Sequence, residues 1–150
     1  MKLIECILLV DDSPSTNFYN KKIIEVQNLT DKIHEVGNGL EALDYLNNEG
    51  KFQDASIYTK PNIIFLDINM PKMDGFEFIE AYQKLPEAKR AEILVVFLTT
   101  SNWSKDKAKA INNDIVFDFI EKPLKPEALK KIKEHYIFLK SQFSSIKLQA

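Results

Sequence analysis

Four short apolar runs divide the chain. They are Ile4–Val10, broken by Glu5; Ile63–Leu66; Ile93–Leu98; and Ile115–Ile120, broken by Asp118. Each is rich in Ile, Val, Leu or Phe. Three are nearly continuous rather than alternating, the pattern of parallel strands covered on both faces. A fifth run, Lys32–Val36, alternates and predicts an edge strand.

Between these runs the apolar period lengthens to that of helices. Ser13 before Pro14 predicts a capped helix start. That helix should run to about Asn28, with Phe18, Ile23, Ile24 and Val26 available to pack inward. Leu40–Leu46 predicts a short helix carrying Leu40, Leu43 and Leu46. Phe76–Leu85 predicts another, stopped by Pro86, and Lys105–Asn112 a fourth. Pro126 opens the fifth, where Leu129, Ile132, Tyr136, Leu139 and Phe143 fall at intervals of 3, 4, 3 and 4 and make one apolar stripe. Strand and helix thus alternate five times. The expected class is α/β, a five-stranded parallel sheet with helices on both faces and right-handed crossovers. Residues 49–60 form a polar connection without period, expected to be a mobile insertion. The domain is expected to span 1–143, with 144–150 a tail and no separate output domain.

Composition excludes some functions. The 150 residues are 45% apolar and 28% charged, which suits one folded domain. The formal net charge is -2, with 7 basic and 12 acidic side chains in residues 1–75 and 13 and 10 in residues 76–150. This balance argues against nucleic-acid binding through bulk positive charge. No apolar stretch approaches the roughly 20 residues of a membrane span. Glu5 sits where a secretion signal should be apolar. Cys6 is the sole cysteine, so no internal disulfide can form. A soluble cytoplasmic domain is expected.

The chemistry lies where the apolar runs stop. The first stops at Asp11–Asp12, the third strand at Asp67, the fourth at Thr99–Thr100 and the fifth at Lys122–Pro123. In an open parallel sheet these carboxyl ends share one edge, where ligands bind. Carboxylates so gathered repel. One pair about 4 Å apart costs on the order of 4 kcal/mol at an effective dielectric near 20. Lys122 can offset one charge. A hard cation such as Mg²⁺, which prefers oxygen ligands, can offset more. A carboxylate backed by a metal, a hydroxyl and an ammonium provides the parts for phosphoryl transfer onto an aspartate.

Four segments carry a resemblance: Ile7–Ser13, Asn62–Gly75, Val95–Ser101 and Phe119–Pro123. In order and spacing they are similar to the receiver domains of two-component response regulators, over about residues 4–140. The resemblance implies a doubly wound (βα)5, flavodoxin/CheY-like three-layer sandwich with strand order 2-1-3-4-5. It implies that Asp67 is the phosphoacceptor and that Asp12 binds Mg²⁺ directly. Asp11 would bind it mostly through water, and the Asn69 backbone carbonyl would be a further ligand. Thr99 would bond the phosphoryl group, Lys122 would pair with a phosphoryl oxygen, and the Lys122–Pro123 peptide would be cis. Phe119 occupies the place of a switch aromatic, and Pro71 and Gly75 shape the loop after the acceptor. Asn69 and Ser101 could influence the hydrolytic water. The implied donor is the phosphohistidine of a histidine kinase or histidine phosphotransfer protein. The implied output is binding of an unknown downstream protein at the face of the fourth helix, fifth strand and fifth helix, so the chain is not an enzyme in the ordinary sense.

The chain also departs from the family. Asn113–Val116 replaces a small-residue turn, Phe119 lacks a hydroxyl, and the 49–60 connection is long. A Mg²⁺-dependent aspartyl-phosphate phosphohydrolase and a pseudo-receiver scaffold stay open as alternatives. A flavodoxin-type carrier does not fit, because Asp11–Pro14 offers no Ser/Thr/Gly phosphate cradle. Trp103 reads as a loop aromatic or a partner anchor, His34 and His135 as incidental, and Cys6 as core. Lys125, Lys130, Lys131, Lys133 and Lys140 read as a solvated basic face. Ile137 and Phe138 flank the last stripe and could extend it into a dimer contact.

Overall fold

The apolar runs become adjacent parallel strands. A computed structural model describes residues 3–90, 94–100 and 115–149. Its strands are β1 (Ile7–Val10), β2 (Ile33–Val36), β3 (Ile63–Asp67), β4 (Leu94–Thr99) and β5 (Val116–Glu121), in the order β2-β1-β3-β4-β5. All neighbours are parallel, with Ile7 opposite both Ile33 and Ile63 and Asp67 opposite Leu98. The β4–β5 register shifts at Val95/Val96. The helices are α1 (Pro14–Val26), α2 (Gly39–Asn47), α3 (Gly75–Gln83) and α4 (Pro126–Gln149). This is the α/β sandwich and strand order expected. The 105–112 helix, Trp103, Ser101 and residues 113–114 of the turn lie outside the described residues.

Strand side chains alternate between faces, so continuous apolar runs supply two cores at once. On one face Leu8, Val10, Ile64, Leu66 and Phe97 pack with Ala42, Tyr45, Phe78 and Tyr82 of α2 and α3. On the other, Ile7, Leu9, Phe65, Val96 and Leu98 pack with Ile24 of α1 and Leu129, Ile132 and Tyr136 of α4. Leu129, Ile132, Tyr136 and Leu139 of the α4 stripe face this core as their spacing predicts. Ile137 and Phe138 are exposed, and the helix continues through 144–149, the segment expected to be a tail. Among the described residues, no helix is long and apolar enough to cross a membrane.

Two helices turn inward only part of the set expected: Ile23 and Ile24 of α1 and Leu43 and Leu46 of α2 pack on the core, whereas Phe18, Val26 and Leu40 do not. In α1 the buried residues are Asn17, Asn20 and Ile24, while Phe18 is 61% and Val26 77% exposed. The start of the helix sets this phase. The Ser13 side chain accepts from the Thr16 N–H (3.3 Å), and Asn17 Nδ2 donates to the Asp11 carbonyl (3.0 Å), locking the first turn against β1. In α2, Asn38 accepts from the Glu41 N–H (3.0 Å) and Ala42, Tyr45 and Leu46 are buried, leaving Leu40 exposed.

The 49–60 connection is tied down rather than loose. Asn48, in the left-handed region (φ 53°), donates from Nδ2 to the carbonyls of Phe52 (3.0 Å) and Tyr58 (3.1 Å). Phe52 is buried. The rings of His34, Tyr45, Phe52 and Tyr58 lie with neighbouring centroids 5.1 to 5.8 Å apart. His34 therefore belongs to a packed cluster at this end, and its burial lowers the imidazole pKa.

Candidate functional site

The carboxyl ends of the strands bring together the residues that the sequence set far apart. Asp11 follows β1, and its main-chain N–H donates to the Val36 carbonyl (3.1 Å), continuing the β1–β2 ladder by one residue. Its Oδ1 accepts from the Ser13 N–H (2.9 Å), closing a turn that leads into α1. Asp67 is the last residue of β3, and its Oδ1 accepts from the Ile68 N–H (2.9 Å). One carboxylate oxygen from each of Asp11, Asp12 and Asp67 lies within 4.8 Å of the others. Asp11 and Asp67 are buried, whereas Asp12 is exposed.

Lys122 stands between the two buried acids. Its Nζ is 2.6 Å from Asp11 Oδ2 and 3.3 Å from Asp67 Oδ1. The Lys122 N–H donates to the Thr99 carbonyl (2.8 Å), which joins the end of β5 to the end of β4. The Lys122–Pro123 peptide is cis. Burial raises the Asp67 carboxyl above the ordinary carboxylate range and the Asp11 charge adds to it, against the attraction of Lys122. Burial alone would lower the Lys122 ammonium, but its bond to Asp11 and the two carboxylate charges outweigh that and raise it. One ammonium thus does not neutralise the acids.

Thr99 is buried at the end of β4. Phe119 is partly buried and packs against the core shared with α2 and α3. Asn69 is exposed, in the loop that follows Asp67. That loop is shaped by main-chain bonds. Met73 N–H donates to the Pro71 carbonyl (2.7 Å), Gly75 N–H to Ile68 (2.8 Å) and Gly39 N–H to Met73 (3.2 Å), with Lys72 at φ 66°. Asp74 then caps α3 in a reciprocal box with Glu77.

Gly75 holds this loop close to the acceptor strand. A Cβ there would sit 2.6 Å from the Asp67 carbonyl oxygen and 2.8 Å from the Phe97 ring. Because the first contact is backbone, the strand end must move. Gly75→Ala is expected to destabilise the chain by about 2 kcal/mol, checked by urea unfolding. An unchanged midpoint would show that the loop accommodates the methyl group.

The donor set fits a hard cation. Three carboxylate oxygens converge, and the acids retain excess negative charge after Lys122 is counted. Beside this cluster a cleft of about 440 Å³ is lined by Ser15, Thr16, Tyr19, Asn20, Thr100, Lys122 and Pro123. Sequence reasoning missed Asn17, which grips the Asp11 carbonyl. The available signal was an amide side chain where the inward stripe of α1 would otherwise be apolar.

The sequence pattern of the response regulator receiver domain matches residues 7–134. The chain belongs to this family. The receiver is 33% identical to the response regulator Rcp1 of Synechocystis over 100 residues, which is 67% of this chain and 65% of that protein. The match thus spans just under two thirds of Rcp1. Among solved structures, the two-component response regulator of Cytophaga hutchinsonii superposes with a TM-score of 0.79 at 31% identity, over 91% of this chain and 98% of that one. The phosphorylated cyanobacterial phytochrome response regulator RcpA gives 0.69 at 29% identity, over 85% and 87%. The Mn²⁺-bound form of Rcp1 gives 0.67 at 29%, over 85% and 88%.

Proposed function

We propose that this receiver accepts a phosphoryl group on Asp67 from a phosphohistidine of a histidine kinase or histidine phosphotransfer protein. The observation that carries this reading is the placement of Lys122 Nζ between Asp11 and Asp67, with Asp12 completing an acid cluster within 4.8 Å. The phosphorylated RcpA and Mn²⁺-bound Rcp1 structures support it by likeness.

Asp11, Asp12, Asp67 and the Asn69 main-chain carbonyl are the residues that would hold Mg²⁺. Bound there, the ion supplies positive charge against the transferring phosphoryl oxygens. An Asp67 carboxylate oxygen attacks phosphorus. The P–O bond forms as the P–N bond to the histidine breaks, and the imidazole nitrogen keeps the electron pair. Lys122 gives up part of its contact with Asp67 to pair with a phosphoryl oxygen. The cleft beside Lys122 leaves room for side chains of the donor. The acyl phosphate adds roughly 1.5 to 2 negative charges. Thr99 turns its hydroxyl toward them, Phe119 moves further inward, and the face that carries β5 and α4 alters for a downstream protein. The equilibrium shifts only as far as the phosphoryl group binds the two states differently. The product is a changed binding surface rather than a released compound.

Incubation with acetyl phosphate and Mg²⁺ tests this. Intact mass is expected to rise by about 80 daltons, one phosphoryl group, and EDTA should prevent the gain. No gain with Mg²⁺, together with no binding of beryllofluoride, would instead mark the chain as a scaffold.

A further inference from the structure

Each polar atom of Asp11 is held. Its N–H is bonded to Val36, its Oδ1 to the Ser13 N–H and its Oδ2 to Lys122. Its main-chain oxygen accepts from Asn17 Nδ2 at 3.0 Å. This last partner is unusual. Asn17 lies in a helix, is only 4% exposed, and points toward the sheet. Asn is a poor helix former, and among the described residues Asn17 Oδ1 has no hydrogen-bond partner. A buried acceptor without a partner destabilises a fold. Leu at this position would avoid both costs but would take the donor from the Asp11 carbonyl, so it is this bond rather than packing that accounts for the residue.

We propose that Asn17 is a positioning residue of the acid cluster. The Asp11 carbonyl and the Asp12 nitrogen belong to one planar peptide unit. By fixing the carbonyl, the Asn17 amide fixes that plane and with it the direction in which Asp12 leaves the chain. Asp12 is the exposed member of the cluster and lies at the mouth of the turn. Lys122 and Ser13 hold Asp11 from its side chain. Asn17 holds the backbone that connects Asp11 to Asp12. Groups that orient ligands in this way set metal affinity without touching the ion.

The inference rests on the metal reading above, and the test separates the two. Mg²⁺ is titrated by calorimetry into metal-free wild type, Asn17→Leu and Asn17→Asp. The aspartate keeps the shape of the side chain but replaces the donor by an acceptor. Both variants are expected to bind Mg²⁺ about tenfold more weakly. The melting temperature of Asn17→Leu in EDTA should stay close to that of wild type, because the unpaired Asn17 acceptor is gone while the Asp11 carbonyl loses its donor. A lower melting temperature with Mg²⁺ affinity within about twofold of wild type would overturn the proposal and make Asn17 a packing residue. If Asn17→Leu fails to fold, Asn17→Ser takes its place with the same readouts, its hydroxyl being too short to reach the Asp11 carbonyl. Wild type that binds no Mg²⁺ would overturn the metal reading itself. Wild-type binding with unaltered variants would overturn only the role of Asn17.

Discussion

Asp67→Asn is expected to abolish the mass gain from acetyl phosphate and, in the same protein, to raise the melting temperature in EDTA. The two effects have one origin. Burial and the Asp11 charge raise the Asp67 carboxyl above the ordinary carboxylate range, so its ionised form is disfavoured in the fold. The folded chain then holds this proton to a higher pH than the unfolded chain does. Stability falls as pH rises from the ordinary carboxylate range through the raised folded value. The amide variant mimics the protonated acid at every pH and escapes that loss. Near neutral pH it should gain about 1 kcal/mol, or roughly 2 to 4 °C for a chain of this size. The gain should shrink as the medium is acidified below the ordinary carboxylate range. Scanning calorimetry of both proteins across that range checks the sign. A destabilised amide variant would mean that the contact of Asp67 with Lys122 outweighs its burial.

Lys122→Met is expected to act in the opposite direction on stability. Lys122 is the ammonium within 3.3 Å of both Asp11 and Asp67. Met fills similar volume without charge, leaving two buried carboxylates facing each other. Removing one partner of a buried ion pair costs about 3 to 5 kcal/mol. The partial exposure of this site places the loss near the lower figure, roughly 6 to 12 °C. Mg²⁺ should then stabilise the variant more than it stabilises wild type, because the ion supplies the missing positive charge. Phosphorylation should slow by about 100-fold, the order seen when one preorganised charge donor is removed. Thermal melts with and without Mg²⁺ provide the check, and an unaltered melting temperature in EDTA would show that the acids relax apart unaided.

Much of this site was legible because parallel strands place all their carboxyl ends on one edge. Asp11, Asp12, Asp67, Thr99 and Lys122 meet because the strands are parallel, which the alternation of five strands with helices predicts, and because of the strand order, which the family resemblance implied. The facing of α1 was not legible. Phe18 lies five and six residues from Ile23 and Ile24, off their stripe, while the positions four and seven residues before Ile24 on its own face are Asn20 and Asn17, polar residues that an apolar period does not mark. Ser13 and Asn17 decided it through hydrogen bonds to one turn of backbone. The 49–60 connection was misjudged for a related reason. Its order comes from Asn48 bonding to two carbonyls and from Phe52 and Tyr58 meeting Tyr45 and His34, partners that no periodicity announces. Residues that act through the backbone are the hardest to see in a sequence.

Cys6 lies in the segment leading into β1, at the edge of the sheet opposite the acids. Its sulfur is fully buried, 3.5 Å from the Tyr45 hydroxyl and 3.8 Å from the Thr59 carbonyl. A thiol reagent reaches it only when this far edge opens. Because the chain has a single cysteine, its alkylation rate is a native clock for that opening and needs no added label. It can be read separately from the events at the phosphoacceptor edge.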